Sequence, residues 1–366
     1  VVPIEQSFTT GNLVDIDPPS VLDISIIPRR TSIDIPLNST IDILFDEPVM
    51  PDTVTENSFY VIDLTTDLRF DGALTVSADK FSATFVPNGP FLVGREYSVV
   101  LTSGIQDLFG VALNETSSSF TTSFEADNET PSILATTVTN NADNVPTNTT
   151  LMVRFSETIN AQYVADIKLL DNNGTEVPIA RSIDNVRKLV TLDPIQLLAA
   201  NSNYILSVDG VRDLSDNFLP NPIAITFTTG DEADTGQVFI SNWSYTTDAA
   251  LPLNAVLDVE FSEQIDPTTI TTIMETSRPS FGLHNSNPLS RYIRGRAVLS
   301  PDGRHLRYEL EEPLLSGLTY ELRLDTGDKV LDLGGNQVGN RTRDKRRAFI
   351  TLDIIDSVAP NIMLSS

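Results

Sequence analysis

The chain has 366 residues and a formal net charge of −26, with 20% charged and 40% hydrophobic side chains. That length suits three sandwich-sized domains of roughly 100–120 residues, and the balance of apolar to charged residues excludes wholesale disorder. The acidity argues against nucleic acid and anionic membrane as partners, and no apolar run reaches the roughly 18–20 residues of a spanning helix, which excludes direct membrane insertion.

Cysteine is absent and only two histidines occur, His284 and His305. Thiolate catalysis, disulfides, cysteine-ligated zinc and histidine-rich metal sites are therefore excluded. Cytosolic proteins of this size usually carry a few thiols, and small secreted domains usually carry disulfides. Their absence fits a large exported protein, extracellular or at the cell surface. Val1 onward shows no basic start or cleavage site of a signal peptide, so export rests on composition. Residues 1–235 hold 11 Lys/Arg against 33 Asp/Glu, a balance of −22, while the remainder holds 13 against 17, a balance of −4. The last third is the relatively basic end of an acidic chain.

In chain order, residues 1–14 read as the closing strand of a preceding repeat, on Ser7-Phe-Thr-Thr-Gly11. A donor strand at Pro3–Thr10 that completes a neighbouring subunit is the competing reading. Three repeats follow, at 15–125, 126–231 and 232–354, and residues 355–366 read as the start of a further one. The chain thus reads as a window on a longer array. The repeats are fixed by internal similarity. Pro36-Leu-Asn-Ser-Thr-Ile-Asp-Ile-Leu-Phe-Asp-Glu47 recurs as Pro146–Glu157, ending Phe-Ser-Glu, and as Pro252–Glu263, ending the same way. Tyr97-Ser-Val-Val-Leu matches Tyr204-Ile-Leu-Ser-Val and Tyr320-Glu-Leu-Arg-Leu. Gly104-Ile-Gln-Asp-Leu matches Gly210-Val-Arg-Asp-Leu and Lys329-Val-Leu-Asp-Leu, and each repeat closes on a strand at Phe120, Phe227 or Phe349.

Within each repeat apolar and polar residues alternate, as at Thr149–Phe155, Tyr204–Val208 and Ile223–Phe227, between turn residues at roughly ten-residue intervals. Pro51–Asn57 and Pro194–Asn201 each suit one short turn of helix. The fold expected is all-β: three tandem Greek-key β-sandwich domains of about seven strands in an elongated rod. Relative to the other two, the third repeat carries an insertion of about ten residues around Ser277–Arg294.

Two phrases are specific enough to carry a resemblance. Phe261-Ser-Glu-Gln-Ile-Asp-Pro267 and Gly210-Val-Arg-Asp-Leu-Ser-Asp-Asn217 resemble the SbsA-type bacterial Ig-like domain of S-layer proteins and large surface adhesins, over residues 18 to 353. The resemblance implies an Ig-like fold and a surface setting, not an activity. The first repeat departs from the pattern with Asp46-Glu47 in place of Ser-Glu, and it lacks the Asn that follows the loop Asp at Asp107.

Sandwich topology then places the acidic residues. The linker, the Glu that ends the second strand and the Asp of the loop before the last strand meet at one pole. The first repeat gathers Asp15, Asp17, Asp46, Glu47 and Asp107. The second gathers Asp127, Glu129, Glu157, Asp213, Asp216 and Asn217. The third gathers Asp231, Glu232, Asp234, Glu263, Asp332 and Asn336. Carboxylates so close repel unless a cation lies among them, and an all-oxygen set is what Ca²⁺ selects. The competing reading is that the Glu and Asp residues cap loop amides and the acidic linkers are solvated.

Other chemistry fails to assemble. Serine-nucleophile, phosphate-loop and zinc-protease motifs are missing, so no enzyme is expected. Glu311-Glu312 is a carboxylate pair without aromatic platforms, read as a solvent-facing turn. His284 and His305 read as surface or loop residues, and Trp243 as core filler or a linker wedge. The basic run Arg341–Arg347, with Arg291, Arg294, Arg296, Arg304 and Arg307, suits contact with acidic repeats of a neighbouring copy, in a salt-sensitive way. The seven Asn-x-Ser/Thr sequons are about what composition produces by chance. The expected role is a structural spacer of a surface array or fibre that self-associates with neighbouring copies. An adhesive or glycan-binding module built on the third repeat's insertion, and an accessory region of a secreted hydrolase, are the alternatives.

Overall fold

The structure, a computed structural model, describes residues 15–21, 26–28, 30–184, 188–276, 279–287, 291–324, 327–339 and 345–355. The expected strands at 1–14, including Pro3–Thr10, the opening at 356–366, the Asn340 sequon and Arg341–Asp344 of the basic run lie outside the described residues.

The first repeat forms β1 (Ile26–Ile27), β2 (Ser32–Ile35), β3 (Ile41–Leu44), β4 (Phe59–Asp63), β5 (Leu68–Phe70), β6 (Gly72–Val76), β7 (Ser82–Pro87), β8 (Glu96–Leu101) and β9 (Thr116–Thr122). They pair as two facing sheets, β1-β3-β7-β6 and β2-β9-β8-β4-β5. The second repeat forms β10 (Ile133–Thr136), β11 (Ala142–Val145), β12 (Leu151–Phe155), β13 (Ile167–Asp171), β14 (Ile179–Asp184), β15 (Leu189–Pro194), β16 (Asn203–Val208) and β17 (Ile223–Thr229). Its sheets are β10-β12-β15-β14 and β11-β17-β16-β13. The third forms β18 (Ile240–Trp243), β19 (Ala249–Leu251), β20 (Leu257–Phe261), β21 (Phe281–Asn287), β22 (Arg291–Ile293), β23 (Gly295–Leu299), β24 (His305–Leu310), β25 (Thr319–Leu324) and β26 (Arg346–Thr351). These make β18-β20-β24-β23 and β19-β26-β25-β21-β22.

Six sheets therefore give three β-sandwiches, each with more strands than the seven expected. The extra ones are short edge strands and, in every repeat, a divided opening strand. β1 runs antiparallel to β3, whereas β2 crosses to the other sheet and runs parallel to β9. The same switch joins β11 to β17 and β19 to β26. It turns on residues in the left-handed region, Thr31 (φ 61°), Asn141 (φ 63°) and Asp248 (φ 60°). Asn and Asp tolerate that backbone, whereas a β-branched residue is strained in it. Thr31→Asn should therefore stabilise the first sandwich by about 1 kcal/mol, read as a higher denaturant midpoint at unchanged slope.

The recurrent aromatic residues build the cores. Tyr97 stacks on Phe120 at 5.7 Å, Tyr204 on Phe227 at 5.7 Å and Tyr320 on Phe349 at 5.8 Å. Each tyrosine oxygen accepts from a backbone N–H five residues upstream, at Leu92, Ala199 and Leu315. The hydroxyl thus satisfies a loop amide while the ring fills the space between sheets. Along β20 the burial alternates strictly, with Leu257, Val259 and Phe261 inward.

The chain divides into two compact units. One lies within Val1–Pro131, Glu157–Ala165 and Gly210–Pro220, so it holds the first sandwich with two loops of the second repeat. There Leu214 joins the first core, and Asn160 Nδ2 donates to the buried Asp42 carboxylate at 2.6 Å. The other lies within Ser132–Ser156, Asp166–Asp209 and Asn221–Ser366, and holds the second repeat's strands with the third sandwich. There Thr137 donates to the buried Asp266 at 2.8 Å, and Arg154 donates to the Ile270 carbonyl at 2.6 Å.

Several placements differ from expectation. His284 and His305, read as surface or loop residues, sit on β21 and β24; the His305 side chain is partly exposed, and His284 packs edge-on to Tyr292. Arg346 and Arg347 of the basic run open β26 and pair across to Arg323 and Leu322, while Lys345 is buried. Most of the expected third-repeat insertion is regular sheet, as β21 and β22; the extra length falls in the longer loop ahead of Phe281. Pro51–Thr53 is the expected helical turn, in 3-10 form, whereas Pro194–Asn201 contains no helix. Trp243 is a core residue under the Arg347 guanidinium, and Glu311 and Glu312 are exposed in a bend.

Candidate metal sites

Each sandwich has one pole where two loops are stitched together. The loop after the Phe-Ser-Glu strand bridges the loop that carries the recurrent Asp, through Val49↔Asp107, Ile159↔Asp213 and Ile265↔Asp332. A second bridge closes the Asp loop on itself, through Gln106↔Ala112, Arg212↔Phe218 and Leu331↔Gln337. The linker Asp arrives at the same spot. Three triads result, Asp15–Glu47–Asp107, Asp127–Glu157–Asp213 and Asp234–Glu263–Asp332, each with one oxygen per residue within 4.8 Å of the others. In each triad the loop Asp is buried and its two partners are half-buried.

The two oxygens of the buried Asp do different work. One caps the loop: Asp107 Oδ1 accepts from Phe109 N–H (2.7 Å) and Val111 N–H (2.8 Å). Asp213 Oδ1 accepts from Ser215 and Asn217, and Asp332 Oδ1 from Asn336. The second oxygen differs between repeats. Asn217 Nδ2 donates to Asp213 Oδ2 at 2.9 Å, and Asn336 Nδ2 to Asp332 Oδ2 at 3.2 Å. Valine occupies the matching position, 111, in the first repeat, and Asp107 Oδ2 is buried with no hydrogen-bond partner. A buried carboxylate oxygen left unmatched is costly. In the first repeat the capping bonds thus fall on one oxygen of the loop Asp and leave the other without a hydrogen-bond partner.

The remaining expected residues lie around the triads. Asn217 and Asn336 support their Asp partners as above. Glu129 is exposed, and only its backbone N–H reaches the Asp127 carboxylate, at 3.0 Å. Asp17 is likewise exposed and donates its N–H to Asp15. Asp216 turns away to Arg212 at 2.8 Å, and Asp231 accepts from Asn201. Glu232 is exposed. Asp46 holds the linker by accepting from the Ser20 N–H and hydroxyl, the task that Ser156 and Ser262 perform in the other repeats. The departure from Ser-Glu in the first repeat is therefore a substitution of one linker tie for another.

Two residues that hold the linker Asp carry a signal absent from the expected set, the Asn of the first two Pro-x-Asn sequences. Asn38 Nδ2 donates to the Asp127 carbonyl (2.7 Å) while Asn38 Oδ1 accepts from the Asp127 N–H (2.8 Å). Asn148 makes the same two bonds with Asp234, both at 2.8 Å.

The electrostatics show the strain of three acids in one place. Burial, then the adjacent Asp127 and Asp213, pushes Glu157 up to about 8. Burial and the Asp234 carboxylate raise Glu263, and burial with Asp15 and Asp107 raises Glu47. Burial raises Asp213 and Asp332 as well. Without a cation these sites hold protons where ordinary carboxylates have lost them. Each triad offers carboxylate oxygens alone, the hard-donor type that suits Ca²⁺ or Mg²⁺ and not softer metals.

A model of the bacterial Ig-like domain matches residues 15–122 and 127–229. The chain belongs to that family. An S-layer protein of Geobacillus stearothermophilus is 23% identical over 354 residues, covering 88% of this chain and 28% of that protein. The Ig-like chain thus spans little more than a quarter of its curated relative. Among solved structures, the S-layer protein SbsC, domains 1-6, aligns over 89% of this chain and 59% of its own length at 12% identity and a TM-score of 0.25. A three-domain titin segment, I67-I69, aligns over 92% of this chain and 98% of its own at 11% identity and a TM-score of 0.18. Among the described residues no helix is long and apolar enough to cross a membrane.

Proposed function

We propose that these Ig-like repeats are a non-catalytic structural segment of a surface-layer protein, and that the pole triads hold Ca²⁺. Likeness to an S-layer protein supports the surface setting and assembly with neighbouring copies. The observation that carries the cation is the buried Asp107 Oδ2, which has no hydrogen-bond partner although Asp107 clusters with Asp15 and Glu47. The ion joins a linker to two loops of a sandwich, so it fixes how the chain enters each repeat. Exchange of protons for a cation needs no catalytic group and none is assigned. Calorimetric titration of the chain with CaCl₂ should give a stoichiometry of three, one per triad, with proton release into the buffer. Heats no larger than dilution would remove the ion and leave the acids as loop caps.

A second reading draws on a cavity of about 310 Å³ beside β22, lined by Arg291, Tyr292, Arg294, Glu311 and Leu315 among others. An aromatic ring beside charged groups supports glycan binding there, and a glycan array with Tyr292→Ala as control tests it.

A further inference from the structure

In the second and third repeats the triad aspartate comes from a linker, the segment least constrained by a sheet. A carboxylate on a free linker would lose backbone freedom on joining a cation, which opposes binding. Asp127 and Asp234 are already ordered, and by the same device. In each, the side-chain amide of the preceding repeat's Pro-x-Asn binds both backbone groups of the aspartate, as a neighbouring strand would. Asn217 and Asn336 add a second donor to the same two carbonyls, at 3.2 and 3.3 Å. The backbone of the aspartate is thus fully engaged while its carboxylate points into the triad.

We infer that Asn38 and Asn148 are positioning residues for the cation sites, each pinning a linker aspartate by its backbone so that the carboxylate completes the triad of the next repeat. The inference rests on the calcium reading above and extends it to groups that touch no ion. It also makes the linkage reciprocal: whatever the clamp contributes to cation affinity, the cation contributes to the clamp. The ion therefore strengthens the attachment of one repeat's linker to the Asn of the repeat before it. Asn254 holds the same place in Pro252-Leu-Asn254, and the aspartate at the matching position, Asp356, lies outside the described residues.

The test is calorimetric Ca²⁺ titration of the whole chain as wild type, Asn148→Ala, Asp234→Asn and the double variant. Loss of an outer support of this kind typically weakens metal binding about 10–100-fold. Asn148→Ala should raise the dissociation constant of one site by that factor and leave the other two unchanged. In the Asp234→Asn background it should change nothing further, an outcome that general loosening of the fold would not produce. Asn148→Asp keeps the acceptor for the Asp234 N–H and loses the donor, so it should fall between wild type and Asn148→Ala; it also serves if the alanine variant does not fold. Wild-type constants at all three sites in Asn148→Ala overturn the inference and leave the calcium reading intact. A wild-type chain that binds no Ca²⁺ overturns that reading, and the inference with it.

Discussion

In Ca²⁺ at about one hundred times its dissociation constant, the chain should melt on the order of 10 °C above its melting point in chelator, because such a ligand adds about 2.7 kcal/mol to the folded state of a domain this size. The gap should widen as the pH rises from about 5 to about 8. Glu157 titrates near 4.5 when unfolded and at about 8 when folded. Between those values the folded chain holds more protons than the unfolded one, so without a cation its stability falls as the pH rises. Glu47, Glu263, Asp213 and Asp332 are raised in the same direction and add to the slope. A bound cation reverses the sign: the carboxylates then ionise against it, and the stability they contribute persists at high pH and is lost on acidification. One group marks the part of the slope that Ca²⁺ cannot remove. Burial pushes Asp266 up to about 6, despite donors at Thr268 and Thr137, so some stability should be lost up to that pH in either buffer. Melting curves at several pH values, with Ca²⁺ and with chelator, check this. Superimposable curves throughout would sink the proposal.

The sequence made the architecture legible because the repeats are anchored by residues with fixed jobs. Phe155 and Phe261 end the same strand and Phe45 directly follows it, all three buried, and each Tyr of the second anchor set stacks on the Phe of the closing strand. Position in a repeat therefore translated into position in a sandwich, and all three triads fell within the expected acidic residues. What the sequence left open is instructive in physical terms. Asp216 lies among good oxygen donors, but Arg212 four residues earlier draws it away. The division of the opening strand between two sheets leaves no trace in alternation, since its halves are only two to four residues long and their burial does not alternate regularly. It is written in single turn residues, Thr31, Asn141 and Asp248, of which the first is β-branched and gives no warning. Asn38 and Asn148 were visible as a repeated letter, yet a side chain that binds backbone has no partner residue type to look for. The second and third repeats each gather five acids and an asparagine, the first one fewer residue and no asparagine. The unpartnered oxygen is in the first, where a valine replaces the supporting asparagine.

That last contrast gives the sharpest separation of the two roles of the loop aspartate. Asp107→Asn keeps an oxygen to accept from Phe109 and Val111 and puts an amide where Oδ2 stood. In chelator it should match or slightly exceed the wild type, because one charge leaves a crowded acidic site. In Ca²⁺ it should lose the response of the first site, since an amide nitrogen does not ligate a hard cation. Asp107→Ala removes the cap as well. Two loop amides then lose their acceptor, at about 1–3 kcal/mol for a buried group left unsatisfied, and the loss should appear with and without Ca²⁺. If the asparagine variant is as unstable in chelator as the alanine variant, the carboxylate charge itself holds the loop. If it keeps three calcium equivalents, the orphaned oxygen is not a ligand and the first triad is a cap alone. The predicted pattern, cap retained and ion lost, requires both oxygens of Asp107 to act separately, as their different surroundings in the fold dictate.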